Sequence, residues 1–216
     1  MRNFITHNWF TIFSVLSLGL IVAAKYVNAL RFNDFLLVIS NPKYLKIYSR
    51  DQKFIDLFDS FLFINLALSL SVFIYFGYNT YVTPISFELF EFLKLLFAVS
   101  TLIIIKTLLE RLIGSLFEID NLIDDYLFQK TAFKNYSGIL LLITNLILLY
   151  TNTNINVVIV VSFSAVLLVN IIGFFTSFKN YQKLLIPNLF YFLLYLCALE
   201  IGPYILLYKA ITGNNI

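Results

Sequence analysis

The chain has 216 residues, of which 60% are hydrophobic and only 12% are charged. A soluble domain typically carries about 25% charged residues, so this composition excludes an ordinary soluble domain. The formal net charge of +3 is too small to indicate a nucleic-acid-binding surface. The length allows roughly five to seven helical spans of about 20 residues each. We therefore predict a single integral membrane domain over residues 1–216.

The first apolar run predicts a transmembrane helix at about 9–26. A cleaved secretory signal is the alternative, because Arg2 precedes the run and Val27-Asn28-Ala29 resembles a cleavage site. One basic residue precedes the run, and six follow it before the next span. That charge distribution favours a retained helix with its C-terminal end in the cytoplasm.

The segment 27–58 is basic and amphipathic. Asn41 followed by Pro42 predicts a helix start, since Asn is a good N-cap and Pro suits the first helical position. We expect the apolar residues 35–38 to lie on the membrane surface, with Lys43 near lipid headgroups. We therefore interpret the segment as a solvated connection that rests partly on the bilayer, with a short amphipathic interfacial helix, and not as a specific lipid site.

The second and third spans are predicted at about 60–78 and 89–110, joined by an external loop that contains no basic residue. The third span is interrupted by charge. Lys94 and Lys106 are twelve residues apart, which is about 18 Å along a helix. The span is feasible if both lysines extend toward opposite interfaces; alternatively, it packs centrally and its lysines meet acids.

Residues 110–134 mix acidic, basic and apolar side chains and predict a cytoplasmic amphipathic helix. The spacing of Asp120, Asp124 and Asp125 resembles the metal–diphosphate motif of membrane prenyltransferases. Such sites need a second acidic cluster, which this chain lacks. We therefore interpret the three aspartates as a solvated helix face and predict neither a metal site nor a cofactor.

The last three spans follow from the charge pattern of the C-terminal half. Residues 135–178 contain no charge over 44 positions, and a polar break divides them at 151–154. A short basic turn at 179–183 precedes the final apolar run. The predicted spans are about 136–150, 155–178 and 184–208. The fold class is therefore all-α: a polytopic transmembrane bundle of about six spans, with short amphipathic interfacial helices.

The distribution of basic residues predicts the orientation. Twelve of the 15 Lys and Arg residues lie on the side that holds the loops after spans one, three and five. That side should be cytoplasmic, which places both termini in the periplasm. The predicted location is the bacterial inner membrane.

A few polar side chains fall at membrane depth: Asn65, Lys94, Asn145, Asn170 and Glu200. A lone intramembrane carboxylate requires a partner, a cavity or a proton. Glu200 and Lys94 both fall in the outer half of their spans, as does Asn145. We expect a buried Glu200–Lys94 ion pair supported by Asn145. Glu91 is the rival partner for Lys94, because it lies three residues earlier on the same helix face.

Glu200 admits three interpretations: a structural ion pair, a proton- or ion-handling carboxylate, and a residue that faces the outer interface. Gly202-Pro203 should break the helix and free backbone carbonyls about one turn earlier, beside Glu200. Cys197 lies one turn before Glu200, but no activating base is evident, so it is interpreted as a buried apolar filler.

Four stretches carry a resemblance to a known family: Asn8-Trp9, residues 65–71, residues 133–138 and residues 195–203. Together they resemble an uncharacterised inner-membrane family of Bacteroidota, known as a domain of unknown function. The resemblance implies a multi-helix protein of the cytoplasmic membrane. It transfers no catalytic residue.

The sequence contains no recognisable catalytic set and no phosphate-binding loop, which favours a non-enzymatic protein. The predicted function is a membrane subunit or assembly factor of an envelope complex, acting in secretion or surface biogenesis. The expected partners are the lipid bilayer and other membrane proteins or further copies of the chain. A small proton-linked transporter that uses Glu200 is the first alternative, and a membrane lipid-handling enzyme is the second.

Overall fold

The computed structural model describes residues 8–41, 43–49, 56–82, 87–116, 120–151 and 154–185. Those residues form helices and connections without a strand, which confirms the all-α class. The helices are α1 (Asn8–Val27), α2 (Ala29–Leu36), α3 (Lys43–Tyr48), α4 (Leu57–Tyr81), α5 (Leu89–Leu116), α6 (Asp120–Tyr150) and α7 (Ile155–Leu185). Within the described residues, α1, α4, α5, α6 and α7 are long and apolar enough to cross a membrane. The predicted sixth span lies, apart from its beginning, outside the described residues.

Two helices extend beyond the limits that charge predicted. Helix α6 runs unbroken over Asp120–Tyr150, where the sequence suggested an amphipathic segment followed by a separate span. Helix α7 continues through the predicted basic turn at 179–183 and reaches Leu185. Neither helix contains proline, and lysine and glutamine are good helix formers. A run of charge therefore marks the end of an apolar stretch but not the end of a helix.

Helices α4 and α6 form the centre of the bundle. In their most apolar stretches 56% and 61% of the residues are buried, against 28% in α1, 11% in α5 and 17% in α7. A Cβ atom added to Gly138 of α6 would lie 2.8 Å from the Cα atom of Leu66 in α4. Glycine is therefore required where these two backbones meet, as at other close contacts between membrane helices.

Contacts further along the same helices define their direction. Asn145, later in α6, bonds to Ser69, later in α4, so α4 and α6 run parallel. Helix α1 runs antiparallel to α4, because Phe10 near its start packs 5.2 Å from Tyr75 near the end of α4. Helix α7 likewise runs antiparallel to α6.

The short helices α2 and α3 cover the end of the bundle where α4 begins. The Asn41 side-chain oxygen accepts a hydrogen bond from the Lys43 backbone N–H at 3.0 Å, which confirms the helix start predicted there. The expectation for residues 35–38 was wrong in part: Phe35 and Val38 are 0% and 2% exposed and belong to the protein core. They fill the space between the ends of α1, α4 and α6, so they are not available to the membrane surface.

Candidate functional site: polar groups inside the helical bundle

Lys94 lies on the outward face of α5. Its Nζ atom donates to Glu91 Oε1 at 2.8 Å, and the two side chains are 57% and 60% exposed. The ammonium group also lies 4.5 Å from the ring centre of Phe90. The rival partner suggested by the sequence is thus in contact with Lys94. Glu200 lies outside the described residues, so its pairing stays a prediction.

Asn145 faces the interior and connects α6 to α4. The side chain is 2% exposed, and its Nδ2 group donates to the backbone carbonyl of Ser69 at 2.8 Å. Since Lys94 points outward, the structure does not bring these two predicted site residues together. Cys197, Gly202 and Pro203 lie outside the described residues.

Several buried polar groups of α4 and α6 make no hydrogen bond within the described residues. They are both side-chain amide atoms of Asn65 and of Asn135, the hydroxyl of Ser69 and the Oδ1 atom of Asn145. Asn65 and Asn135 are 0% exposed, and Ser69 is 1% exposed. A buried polar group left without a partner costs about 1–3 kcal/mol, so this concentration of such groups requires an explanation.

The interface between α6 and α7 also contains polar side chains. More of these side chains form hydrogen bonds than those of Asn65, Ser69 and Asn135 do. Asn170 Nδ2 donates to Ser137 Oγ at 3.0 Å and to the carbonyl of Val166 at 2.8 Å. Near the other end, the hydroxyls of Thr144 and Ser162 are 3.0 Å apart. Asn170, one of the polar residues predicted at membrane depth, therefore joins two helices.

Arg31 joins α2 to the start of α4 through ion pairs. Its guanidinium bonds to Asp56 and, at 2.7 Å, to Asp59, and its side chain is only 11% exposed. The guanidinium carbon lies 4.6 Å from the ring centre of Phe58. A planar cation with several fixed donors suits a site of two carboxylates and an aromatic face. Sequence spacing does not indicate this cluster, because Arg31 meets the two aspartates only when α2 folds back onto the start of α4.

Tyr44 of α3 packs beside this ion-pair cluster and is 0% exposed. Burial raises the pKa of its hydroxyl far above the usual value, and the negative charge of Asp59 adds to that effect. The Tyr44 ring stacks on Phe128 of α6 with 5.5 Å between the ring centres. The cluster therefore holds the cap formed by α2 and α3 on the bundle, with Tyr44 in its neutral form.

A second ion pair joins α5 to α6. Lys130 Nζ lies 2.8 Å from Glu110 Oε1, and the side chains are 14% and 2% exposed. One residue further along α5, Arg111 meets Asp124 at 3.3 Å, with both side chains about two-fifths exposed. Asp124 is thus occupied in an ion pair. No group of three potential metal ligands occurs among the described residues.

A small open cleft lies between α4 and α5. Its volume is about 190 Å³, and it is lined mainly by apolar and aromatic groups, among them Ile74, Tyr75 and Phe92. Glu88 and Glu91 also line the cleft. Ligand pockets for drug-sized molecules are typically about 300–1,000 Å³ and largely enclosed, so this cleft has the character of a surface groove.

The family follows from a match over almost the whole chain. Residues 10–211 match the family model of a domain of unknown function, DUF4271. The chain belongs to the DUF4271 family. No curated protein and no solved structure matches it. The resemblance to an uncharacterised family is thereby confirmed, and the function of this DUF4271 protein has to be argued from its own residues.

Sequence reasoning missed three features of this DUF4271 protein: the arginine–aspartate cluster, the Glu110–Lys130 pair and the buried side chains of Ser69 and Asn135. The two ion pairs connect residues 20 or more positions apart, so no local spacing could indicate them. Asn135 lies just before the span predicted at about 136–150 and is not among the polar residues predicted at membrane depth. Gly138, about one turn after Asn135, could have indicated this region, because it marks a close contact between helices.

Proposed function

We propose that the protein is a non-enzymatic integral subunit or assembly factor of a bacterial envelope complex in the inner membrane, and that α5 contacts a protein partner. The supporting observation is a contrast between the two most exposed long helices, α5 and α7. Both leave most of their apolar stretch uncovered, with 11% and 17% of the residues buried.

The two helices differ in charge. Helix α7 has no charged residue from Ile155 to Phe178, which suits direct contact with lipid tails. Helix α5 has only eleven uncharged residues, 95–105, between its lysines. Eleven residues rise about 16 Å as a helix, roughly half of a 30 Å hydrocarbon core.

Two charged residues near the start of α5, Glu91 and Lys94, lie on the face that the bundle leaves open. Phe90, Lys94 and Phe97 share one stripe, in which the two phenylalanines are 68% and 72% exposed. A partner helix on this stripe would cover the Glu91–Lys94 pair and supply polar groups to it, which lipid tails cannot do. The stripe therefore supports a protein contact better than a lipid contact.

Site-specific photo-cross-linking in native membranes tests the proposal. A photoreactive residue at Phe97 should give discrete protein adducts, whereas the same residue at Phe163 of α7, which is 57% exposed, should give mainly lipid adducts. Two differently tagged copies of the chain distinguish self-association from a different partner. Mild-detergent purification with mass spectrometry then identifies the partner. A chain that purifies alone and gives no protein adduct from Phe97 contradicts the proposal.

A further inference from the structure

We infer that the α4–α6 interface contains a built binding site for buried water, formed by Ser69 and Asn145 and extended along the interface by Asn65 and Asn135. Two of these residues are demonstrably adjacent. Asn145 donates to the backbone carbonyl of Ser69 at 2.8 Å. The remaining polar atoms of that pair, Asn145 Oδ1 and Ser69 Oγ, are buried and make no hydrogen bond within the described chain.

The orientation of the Asn145 amide is fixed by its partner. A carbonyl oxygen can only accept a hydrogen bond, so the group facing Ser69 must be Nδ2. The acceptor Oδ1 is thereby left over, and so is the hydroxyl of the same Ser69, which can both donate and accept. A water molecule that donates to Oδ1 and bonds to Ser69 Oγ satisfies both groups, and two to four polar partners are what a buried water needs.

A second pair of amides extends the site. Asn65 lies four residues before Ser69, on the same face of α4. Asn135 lies three residues before Gly138, whose contact with Leu66 fixes the register of the two helices. Asn65 and Asn135 therefore fall within about one helical turn of each other. Each side chain offers both donors and an acceptor, and all of these atoms are buried without a bond in the described residues.

The chemistry of the free groups selects the ligand class. A cation would satisfy the side-chain oxygens but leave the amide N–H groups of Asn65 and Asn135 without acceptors. An anion would leave the oxygens without donors. A small neutral molecule that both donates and accepts can form hydrogen bonds with all of these groups. Water is such a molecule, and it is small enough for the tight contact between the two helices.

A neighbouring serine provides an internal control. Ser71 is 0% exposed, and its hydroxyl donates to the carbonyl of Ala67 at 2.8 Å. Ser71 is therefore satisfied by its own helix, as buried serines in membrane helices often are, whereas Ser69 is not. The two serines have the same size and nearly the same depth. They differ in that the Ser71 hydroxyl forms a hydrogen bond within its helix and the Ser69 hydroxyl does not.

X-ray radiolytic labelling of the full chain in nanodiscs tests the inference, with water itself as the probe. Radicals formed from a bound water should oxidise Leu66, which is only 5% exposed, more than Ile159, which is 7% exposed and lies in an apolar cluster. Ser69→Ala should lose most of the Leu66 labelling, and Ser71→Ala should retain it. Asn145→Leu provides a second variant that should lose it.

Two results would overturn the inference. The first is Leu66 labelled no more than Ile159 in the unaltered protein, which would mean that the amides find protein partners instead. The second is equal labelling in Ser69→Ala and Ser71→Ala, whether both lose it or both retain it. Each variant is compared only as a folded, monodisperse sample, and both serine changes remove a single oxygen atom.

Discussion

Helix α6 is attached to two of its neighbours, α4 and α5, by different means. Toward α4 the contacts are neutral. Gly138 meets the backbone of Leu66, and the Asn145 amide donates to the carbonyl of Ser69 at 2.8 Å. The groups that make these two contacts are buried without carrying a charge into the hydrocarbon layer.

Toward α5 the contacts include two ion pairs. Glu110 and Lys130 meet at 2.8 Å, and Arg111 and Asp124 meet at 3.3 Å. These residues lie near the end of α5 and in the first three turns of α6, away from the Gly138 contact.

The difference shows how polar residues are distributed over a membrane bundle. Neutral amides and hydroxyls occupy the central interface, where close backbone packing by a small residue is possible. Charged residues join helices near their ends, where part of the side chain reaches a more polar layer. The stability of the central interface should therefore depend mainly on packing, and that of the α5–α6 interface on charge compensation.

The largest expected effect is at the charged interface. Lys130→Met leaves the Glu110 carboxylate, which is 2% exposed, without its partner. Breaking a buried pair in this way costs about 3–5 kcal/mol. We expect a large fall in the thermal unfolding midpoint in detergent, or loss of the monodisperse species, measured by fluorescence-detected size exclusion after heating.

The adjacent ion pair gives the matched control. Arg111→Met breaks a pair between the same two helices whose side chains are 42% and 40% exposed, and such a pair is worth about 0–1 kcal/mol. The double variant Glu110→Gln with Lys130→Met should recover much of the loss. Equal effects at Lys130 and Arg111 would show that burial does not distinguish the two pairs.

The next largest effect concerns packing at the neutral interface. Gly138→Ala adds a methyl group 2.8 Å from the Cα atom of Leu66, so α4 and α6 must move apart. Overpacking of this kind costs about 1–3 kcal/mol, and we expect a lower unfolding midpoint.

Gly77→Ala in α4 is the control, because a Cβ atom there meets nothing within 4 Å. This change should be neutral or slightly stabilising, since alanine is a better helix former by about 1 kcal/mol. Similar midpoints for the two alanine variants would contradict the close contact between α4 and α6.

Much of the helical architecture could be predicted from hydrophobic length alone. The spans predicted at about 9–26, 60–78 and 89–110 correspond to α1, α4 and α5 within a few residues at most ends. Hydrophobicity determines where a chain can enter a bilayer, and this signal is local. Charge was a poorer guide, because it placed breaks at 134–136 and 179–183, where the helices continue.

The arrangement of the polar groups could not be predicted, because it depends on which helix faces meet. Asn145 was identified as a buried polar residue, but its partner is a backbone carbonyl of Ser69, which leaves no trace in the sequence. Depth along the span led to the expectation of a buried Glu200–Lys94 pair, with Glu91 as the rival partner, whereas the structure has Lys94 on an outward face in contact with Glu91. Depth along a helix follows from counting residues, whereas direction around the helix requires the neighbours.

A moderate effect is expected at the neutral hydrogen bond between α4 and α6. Asn145→Leu removes the bond to Ser69, and interhelical bonds in membranes contribute about 0.6 kcal/mol on average and up to about 1.7. Ser100→Ala in α5 is the control, since that hydroxyl donates only within its own helix, to Leu96 at 2.8 Å. An Asn145→Leu midpoint at or above that of Ser100→Ala would show that this bond contributes nothing to the interface.

The smallest effect is expected at the outward pair on α5. Lys94 and Glu91 are both more than half exposed, so a double-mutant cycle with Lys94→Met and Glu91→Gln should give a coupling of at most about 1 kcal/mol. The same cycle with Glu200→Gln tests the partner predicted from sequence. A buried Lys94–Glu200 pair would have a larger coupling energy than the exposed pair, because removing one member leaves the other as a buried charge without a partner. A Lys94–Glu200 coupling no larger than the Lys94–Glu91 value would instead leave the outward face of α5 available for the proposed protein contact.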